Sequence, residues 1–216
     1  MEVISSLSAV RVRQHVNPLS QKYQHPAAPP QWETIYAELD HPLHLDIGCG
    51  RGNFLIAMAQ QQPSWNFLGL EIREPLVEQA ILQRDELGLP NLHFVSCNAN
   101  TSLTTLLSSL PDGVLQRVTI QFPDPWFKKR HQKRRIVQPE LVDELARHLA
   151  TGGQVLLQSD IEEVAIEMGD RFQEHSAFIR QGRNWLPHNP LPVSTEREDL
   201  TLSKGEPVFR SLFIKS

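Results

Sequence analysis

From Leu43 onward, short apolar runs alternate with amphipathic stretches, and that rhythm admits few folds. Residues 43–47 read as a strand, Gly48, Gly50 and Gly52 as a turn, and 53–62 as a helix. A second unit follows, with a strand at 66–70 ending on Glu71 and a helix at 75–87 that has Pro75 in its first turn and Gly88 as its stop. Strands at 92–96, 115–122 and 154–158 alternate with helices at 101–110 and 139–150, the latter closed by Gly152 and Gly153. Residues 161–175 then read as a helix, 180–193 as an irregular loop holding Pro187, Pro190 and Pro192, and 208–215 as a last strand. Strands joined by helical crossovers pair in parallel, so the chain reads as an α/β domain with a doubly wound sheet. Its site is expected at the carboxyl ends of the strands.

A chain of 216 residues needs only one such core. Residues 1–40, with Arg11, Arg13, Lys22, a Pro-Ala-Ala-Pro-Pro run at 26–30 and a short helix at 32–39, read as a partly mobile N-terminal arm, and 41–216 as the domain itself. No apolar run approaches the ~20 residues of a membrane span, and the N-terminus lacks the pattern of a signal peptide, so a cytoplasmic protein is expected. Cys49 and Cys97 are too few and too isolated for a disulfide framework or a zinc site, so no metal is expected. Monomer and homodimer both stay open.

The glycine turn carries the first chemical signal. Asp46-Ile-Gly48-Cys-Gly50-Arg-Gly52 spaces its glycines as G-x-G-x-G and places Asn53 where the dinucleotide fingerprint has glycine. A carboxylate at the mouth of the strand, Asp46, suits an ammonium better than a pyrophosphate. Glu71, nineteen residues beyond Gly52, stands where a strand-end carboxylate accepts from both hydroxyls of a ribose. An amine-bearing nucleoside without phosphates is S-adenosylmethionine. Asn98, after the third strand, either bonds the adenine edge or is an ordinary strand-end cap.

The second signal is residues 121–135, where Asp124 lies between two prolines, followed by Trp126 and Phe127 and then by six cations in eight residues. Each proline fixes its own φ and holds its predecessor out of the helical region, so Asp124 is presented on a rigid, extended turn. The net charge of −4 argues against a nucleic-acid partner only until it is partitioned: six of the 21 lysines and arginines fall at 128–135, and the other 15 face 25 acidic residues. Charge so concentrated reads as a phosphate-binding patch, or else as a solvated loop or a localisation-like basic run.

With these residues in hand, the chain resembles the bacterial tRNA (guanine-N7)-methyltransferases over residues 44–214. Phe122-Pro-Asp-Pro-Trp126 with the following Lys-x-Arg-His-x-Lys-Arg-Arg is the most specific part. The resemblance implies the Rossmann-like, mostly parallel sheet of class I methyltransferases with an antiparallel strand near the C-terminus. It implies methyl transfer from S-adenosylmethionine to N7 of the variable-loop guanine, position 46, of tRNA. By the same resemblance Asp46, Gly48, Gly50, Glu71, Asn98 and Asp124 bind the cofactor, and Asp124 is catalytic. Lys128, Asp160, Thr195 and Glu198 bind substrate. Asn98 stands where the family usually has Asp, and Arg197 where Thr-x-x-Glu commonly carries an aromatic. The tRNA phosphates then fall to Lys129, Arg130, Lys133, Arg134 and Arg135.

Guanine N7 has a lone pair and no proton, so its attack needs placement and charge stabilisation and no general base. Asp160 and Glu198 are expected to accept from the guanine N–H donors, and Trp126 or Phe127 to stack on a splayed base or to pack in the core. Two other functions share parts of this pattern. A methyltransferase for another RNA base or a small molecule keeps the glycine turn and Glu71 without needing the cations. A non-catalytic RNA-binding protein keeps the cations without a cofactor.

Overall fold

The computed structural model describes residues 16–216. Arg11 and Arg13, with the rest of the first fifteen residues of the expected arm, lie outside the described residues. Five strands, β1 (Leu43–Ile47), β2 (Asn66–Glu71), β3 (Leu92–Ser96), β4 (Leu115–Gln121) and β5 (Gln154–Ser159), run parallel. With β6 (Phe178–Arg180) and β7 (Phe209–Lys215) they form one sheet in the order β3-β2-β1-β4-β5-β7-β6, in which β7 is antiparallel to both neighbours. Strands β1 and β2 are buried along their whole length, as continuous apolar runs must be when helices cover both faces.

The helices are α1 (Trp32–Ile35), α2 (Asn53–Gln61), α3 (Glu74–Leu87), α4 (Ala99–Leu107), α5 (Pro139–His148), α6 (Glu162–Glu174) and α7 (Glu196–Ser203). One core is closed by α4, α5 and α6 with Trp32 and Tyr36 of the arm, through Leu103, Leu106, Leu141, Leu145, Met168 and Phe172. The other is closed by α2 and α3, where Phe54, Leu55 and Met58 meet Phe67 and Phe94. Phe94 presses so closely on the glycine turn that a Cβ at Gly52 would lie 2.6 Å from its ring. Gly52 also has φ +76°, so this residue must be glycine both for its backbone and for the space. Chain order reverses between β1 and β4, and the crevice outside their carboxyl ends is the switch point where such sheets bind ligands.

Three elements depart from the sequence reading. Residues 178–180 form β6, a strand too short to show an alternation signal. Helix α7 begins after Thr195, whose Oγ1 accepts from Glu198 N at 3.1 Å, and the Thr-x-x-Glu spacing is itself a capping signature. The cation run is neither irregular nor extended, because Lys129–Arg134 form a 3₁₀ helix. The described part of the arm lies against α4: Ala27 N donates to Ser102 Oγ at 3.0 Å and Trp32 Nε1 to Ser109 Oγ at 2.8 Å.

Candidate active site

The glycine turn opens the crevice. Gly48 and Gly50 have φ of +86° and +57°, and a Cβ on either would meet nothing within 4 Å, so the backbone there borders open space that a ligand can approach. Just before the turn Asp46 is buried, and its Oδ1 accepts from Thr119 Oγ1 at 2.6 Å and Gln121 Nε2 at 3.3 Å. Burial dominates its titration, with the nearby Glu71 adding to it against the two hydrogen bonds, and the carboxyl is raised to about 6. A cation placed beside it would restore the charge that burial opposes.

Glu71 closes the same crevice from the end of β2. Its Oε1 accepts from Arg73 N and Nε at 3.0 and 2.9 Å, and its Oε2 from Gly50 N and Arg73 Nη2, both at 3.0 Å. Four donors fill the lone pairs of a carboxylate. The Arg73 guanidinium is 28% exposed and also lies within electrostatic reach of Asp124, so it links the end of β2 to the loop after β4.

Asn98 is the N-cap of α4, its Oδ1 accepting from Asn100 N at 3.2 Å. Its amide donates to Pro18 O and Tyr23 O, both at 3.2 Å. Of the two readings left open for Asn98, capping is the one these bonds serve, and both amide protons are spent on the arm instead of on a base. Val16 and Pro18 line the crevice with Gly48, Glu71 and Asn98, so the arm supplies a wall that sequence reasoning missed. The cavity these residues line measures about 130 Å³, smaller than the ~300 Å³ and upward of a fully formed small-molecule pocket.

Asp124 stands at its far side, on the loop after β4. The loop's backbone is strained at both ends, since Phe122 (φ +49°) and Trp126 (φ +44°) occupy the left-handed region without being glycine. Each such residue costs ~1–3 kcal/mol, which the surroundings must offset. Phe122 N donates to Gln158 O at 2.8 Å, and Trp126 packs edge-on to His131 with the Arg134 guanidinium 5.0 Å from its ring. Trp126 and Arg134 thus wall the crevice, whereas Phe127 is 69% exposed.

Arg135 corrects the expected phosphate patch. It is buried, its Nε donates to Pro125 O at 2.8 Å, and its guanidinium pairs with Glu163 at 3.0 Å and with Glu167 of α6. No phosphate can reach a side chain committed in this way; Arg135 braces the loop that carries Asp124. The exposed cations of the run are Lys128, Lys129, Arg130 and Lys133, with Arg134 half-buried over Trp126.

A second cleft opens on the other side of Asp124, bordered by Asp46, Phe127, Asp160, Thr195 and Arg197. Arg197 ion-pairs with Asp160, both guanidinium contacts falling on Oδ2, one of them at 2.9 Å. The residue that stands where an aromatic was expected is therefore an ion-pair partner of Asp160. Glu198 requires a second correction, being buried with both oxygens engaged: Oε1 by Arg210 Nη2 at 2.6 Å, Oε2 by Gln158 Nε2 at 3.1 Å and Asn189 Nδ2 at 2.8 Å. In this arrangement its carboxylate braces the turn that presents Thr195. Gln121, Gln158 and Arg210 also escaped the sequence reading, although polar residues ending apolar strands were the available sign. Among the described residues no group of His, Cys, Asp and Glu could hold a metal ion, and no helix is long and apolar enough to cross a membrane.

Sheet order, glycine turn and two carboxylates at the switch point define the class I S-adenosylmethionine-dependent methyltransferase architecture. Solved structures share it: a SAM-dependent methyltransferase from Aquifex aeolicus matches with TM-score 0.56 at 14% identity over 82% of this chain and 83% of that one. The aminoglycoside resistance methyltransferase NpmB1 matches with TM-score 0.55 at 16% identity over 90% and 99%. A methyltransferase family model covers residues 40–211. Curated relatives named tRNA (guanine-N(7)-)-methyltransferase are 64% identical in Trichormus variabilis, over 97% of this chain and 98% of that one, and 54% identical in Synechocystis, over 95% and 98%. The chain belongs to the tRNA (guanine-N7)-methyltransferase family.

Proposed function

We propose that this protein transfers the methyl group of S-adenosylmethionine to N7 of the variable-loop guanine of tRNA in the cytoplasm, with Asp124 as the catalytic carboxylate. The observation that carries the reading is that Asp124 borders both clefts, the one with Gly48 and Glu71 and the one with Asp160 and Thr195. A group between the two is where donor and acceptor must meet.

When bound, S-adenosylmethionine supplies an electrophilic methyl carbon on its sulfonium. The residues present fit it: Asp46 offers a buried carboxylate to its ammonium, Glu71 a strand-end carboxylate to its ribose, and the glycines space for its backbone-like end. Asp124 holds the guanine in line and stabilises the positive charge that grows on the purine, and orientation of this kind is worth ~7–11 kcal/mol of barrier. Asp160 accepts from the guanine N–H donors and thereby selects against adenine. Lys128, Lys129, Arg130 and Lys133 grip phosphates, and Phe127 is the aromatic exposed to a splayed base.

Nucleoside analysis of unmodified tRNA incubated with the protein and S-adenosylmethionine tests this. We expect 7-methylguanosine to accumulate, and Asp124→Asn to lower kcat by ~10²-fold or more. Another methylated nucleoside, or none, would overturn the reading.

A further inference from the structure

A line of polar side chains, most of them buried, crosses the sheet at its carboxyl edge from Asp46 to the first turn of α7. Gln121 and Gln158 are register partners on β4 and β5, and Gln158 and Arg210 are partners on β5 and β7. Gln121 donates to Asp46 at 3.3 Å and accepts from Gln158 at 2.7 Å. Gln158 Nε2 also donates to Glu198 at 3.1 Å, while its Oε1 accepts from Arg210 Nε at 3.1 Å. Glu198 in turn lies in the first turn of α7, where its N–H is capped by Thr195.

Gln158 and Glu198 are at most 1% exposed and Arg210 is 3% exposed, so their polar groups gain nothing from water. An apolar strand end would bury the same volume at lower risk, because a network of this kind stabilises only when every member is satisfied. The arrangement has a directional consequence. Gln121 can present its amide protons to an ionised Asp46 only while its oxygen faces Gln158. The Gln158 amide, shared between Gln121 and Glu198, then fixes the turn bearing Thr195. Turning the Gln121 amide would put an oxygen against Asp46 and an N–H against the Gln158 N–H, and both contacts would be lost.

We propose that Gln158 is a positioning residue that couples the cofactor site at Asp46 to the substrate turn at Thr195–Glu198, so that filling one site favours binding at the other. The proposal rests on the functional reading above and adds to it a residue that touches neither ligand. Coupling between sites is reciprocal and is measured as a ratio of affinities, which a merely structural defect does not change selectively.

The test is binding of unmodified tRNA by the full chain with and without saturating S-adenosylhomocysteine, which cannot react. The wild type is expected to bind tRNA about five-fold or more tightly when the nucleoside is present, and Gln158→Met to bring that ratio close to one while each ligand still binds alone. Gln121→Met breaks the same line at its half-buried end beside Asp46; it is expected to bring the ratio close to one even where it weakens S-adenosylhomocysteine binding itself, and it decides the matter should Gln158→Met fail to fold. A wild-type ratio of one, or an unchanged ratio in a folded variant, would overturn the coupling. Failure of the wild type to methylate tRNA at all would instead overturn the functional reading beneath it.

Discussion

At the scale of single residues, Asp46 makes the sharpest demand. Its carboxyl is raised to about 6 chiefly by burial. The folded state therefore favours the protonated form, and the stability this confers is full below the ordinary aspartate range and lost as pH rises through about 6. Ligand binding has the opposite sign, because an ammonium needs the ionised form. The dissociation constant for S-adenosylhomocysteine is thus expected to rise as pH falls below about 6, approaching tenfold per pH unit, and titration calorimetry across pH 5–8 checks it. Asp46→Asn should bind weakly with a flat profile; an unchanged profile would show that another group receives the ammonium. That Asp46 and Glu71 stand at strand ends beside the glycine turn was legible from the spacing of apolar runs and glycines, which is a local signal. The pairing of Glu198 with Arg210 was not legible, because its spacing from Thr195 is the same whichever way the carboxylate turns.

At the scale of elements, the loop from Phe122 to Arg135 shows how one sequence run divides into different tasks. Charge alone made six equivalent cations of Lys128 to Arg135, because composition does not say which side of a turn faces inward. The 3₁₀ helix at 129–134 separates them, turning Lys129, Arg130 and Lys133 outward, laying Arg134 on Trp126 and driving Arg135 under the loop against Glu163 and Glu167. Arg135→Met is therefore expected to lower stability by ~1–3 kcal/mol, since Pro125 O loses its donor and the two glutamates lose their partner. It should leave the salt dependence of tRNA binding intact. Lys133→Glu should do the reverse, sparing the melting temperature and reducing the slope of log affinity against log salt by about one. Denaturant melts and filter binding from low to moderate salt measure both, and a salt-slope change at Arg135 without loss of stability would refute the division.

At the scale of the whole molecule, the five-fold βα rhythm was enough to read a parallel, doubly wound sheet with its site at the strands' carboxyl ends, since hydrophobic periodicity and glycine stops are local signals. Long-range closure was not readable. The arm's wall on the crevice depends on Asn98 reaching Pro18 and Tyr23, and the polar line from Asp46 to Arg210 depends on strands distant in sequence meeting in register. Asp124 borders both the crevice lined by Glu71 and Asn98 and the cleft rimmed by Asp160, Thr195 and exposed Phe127. The most direct measurement uses two tRNA transcripts identical except that the variable-loop guanine of one is replaced by adenine, each incubated with the protein and S-adenosylmethionine carrying a labelled methyl group. The account predicts label in the guanine-bearing transcript and none in the other; equal labelling of both would contradict it.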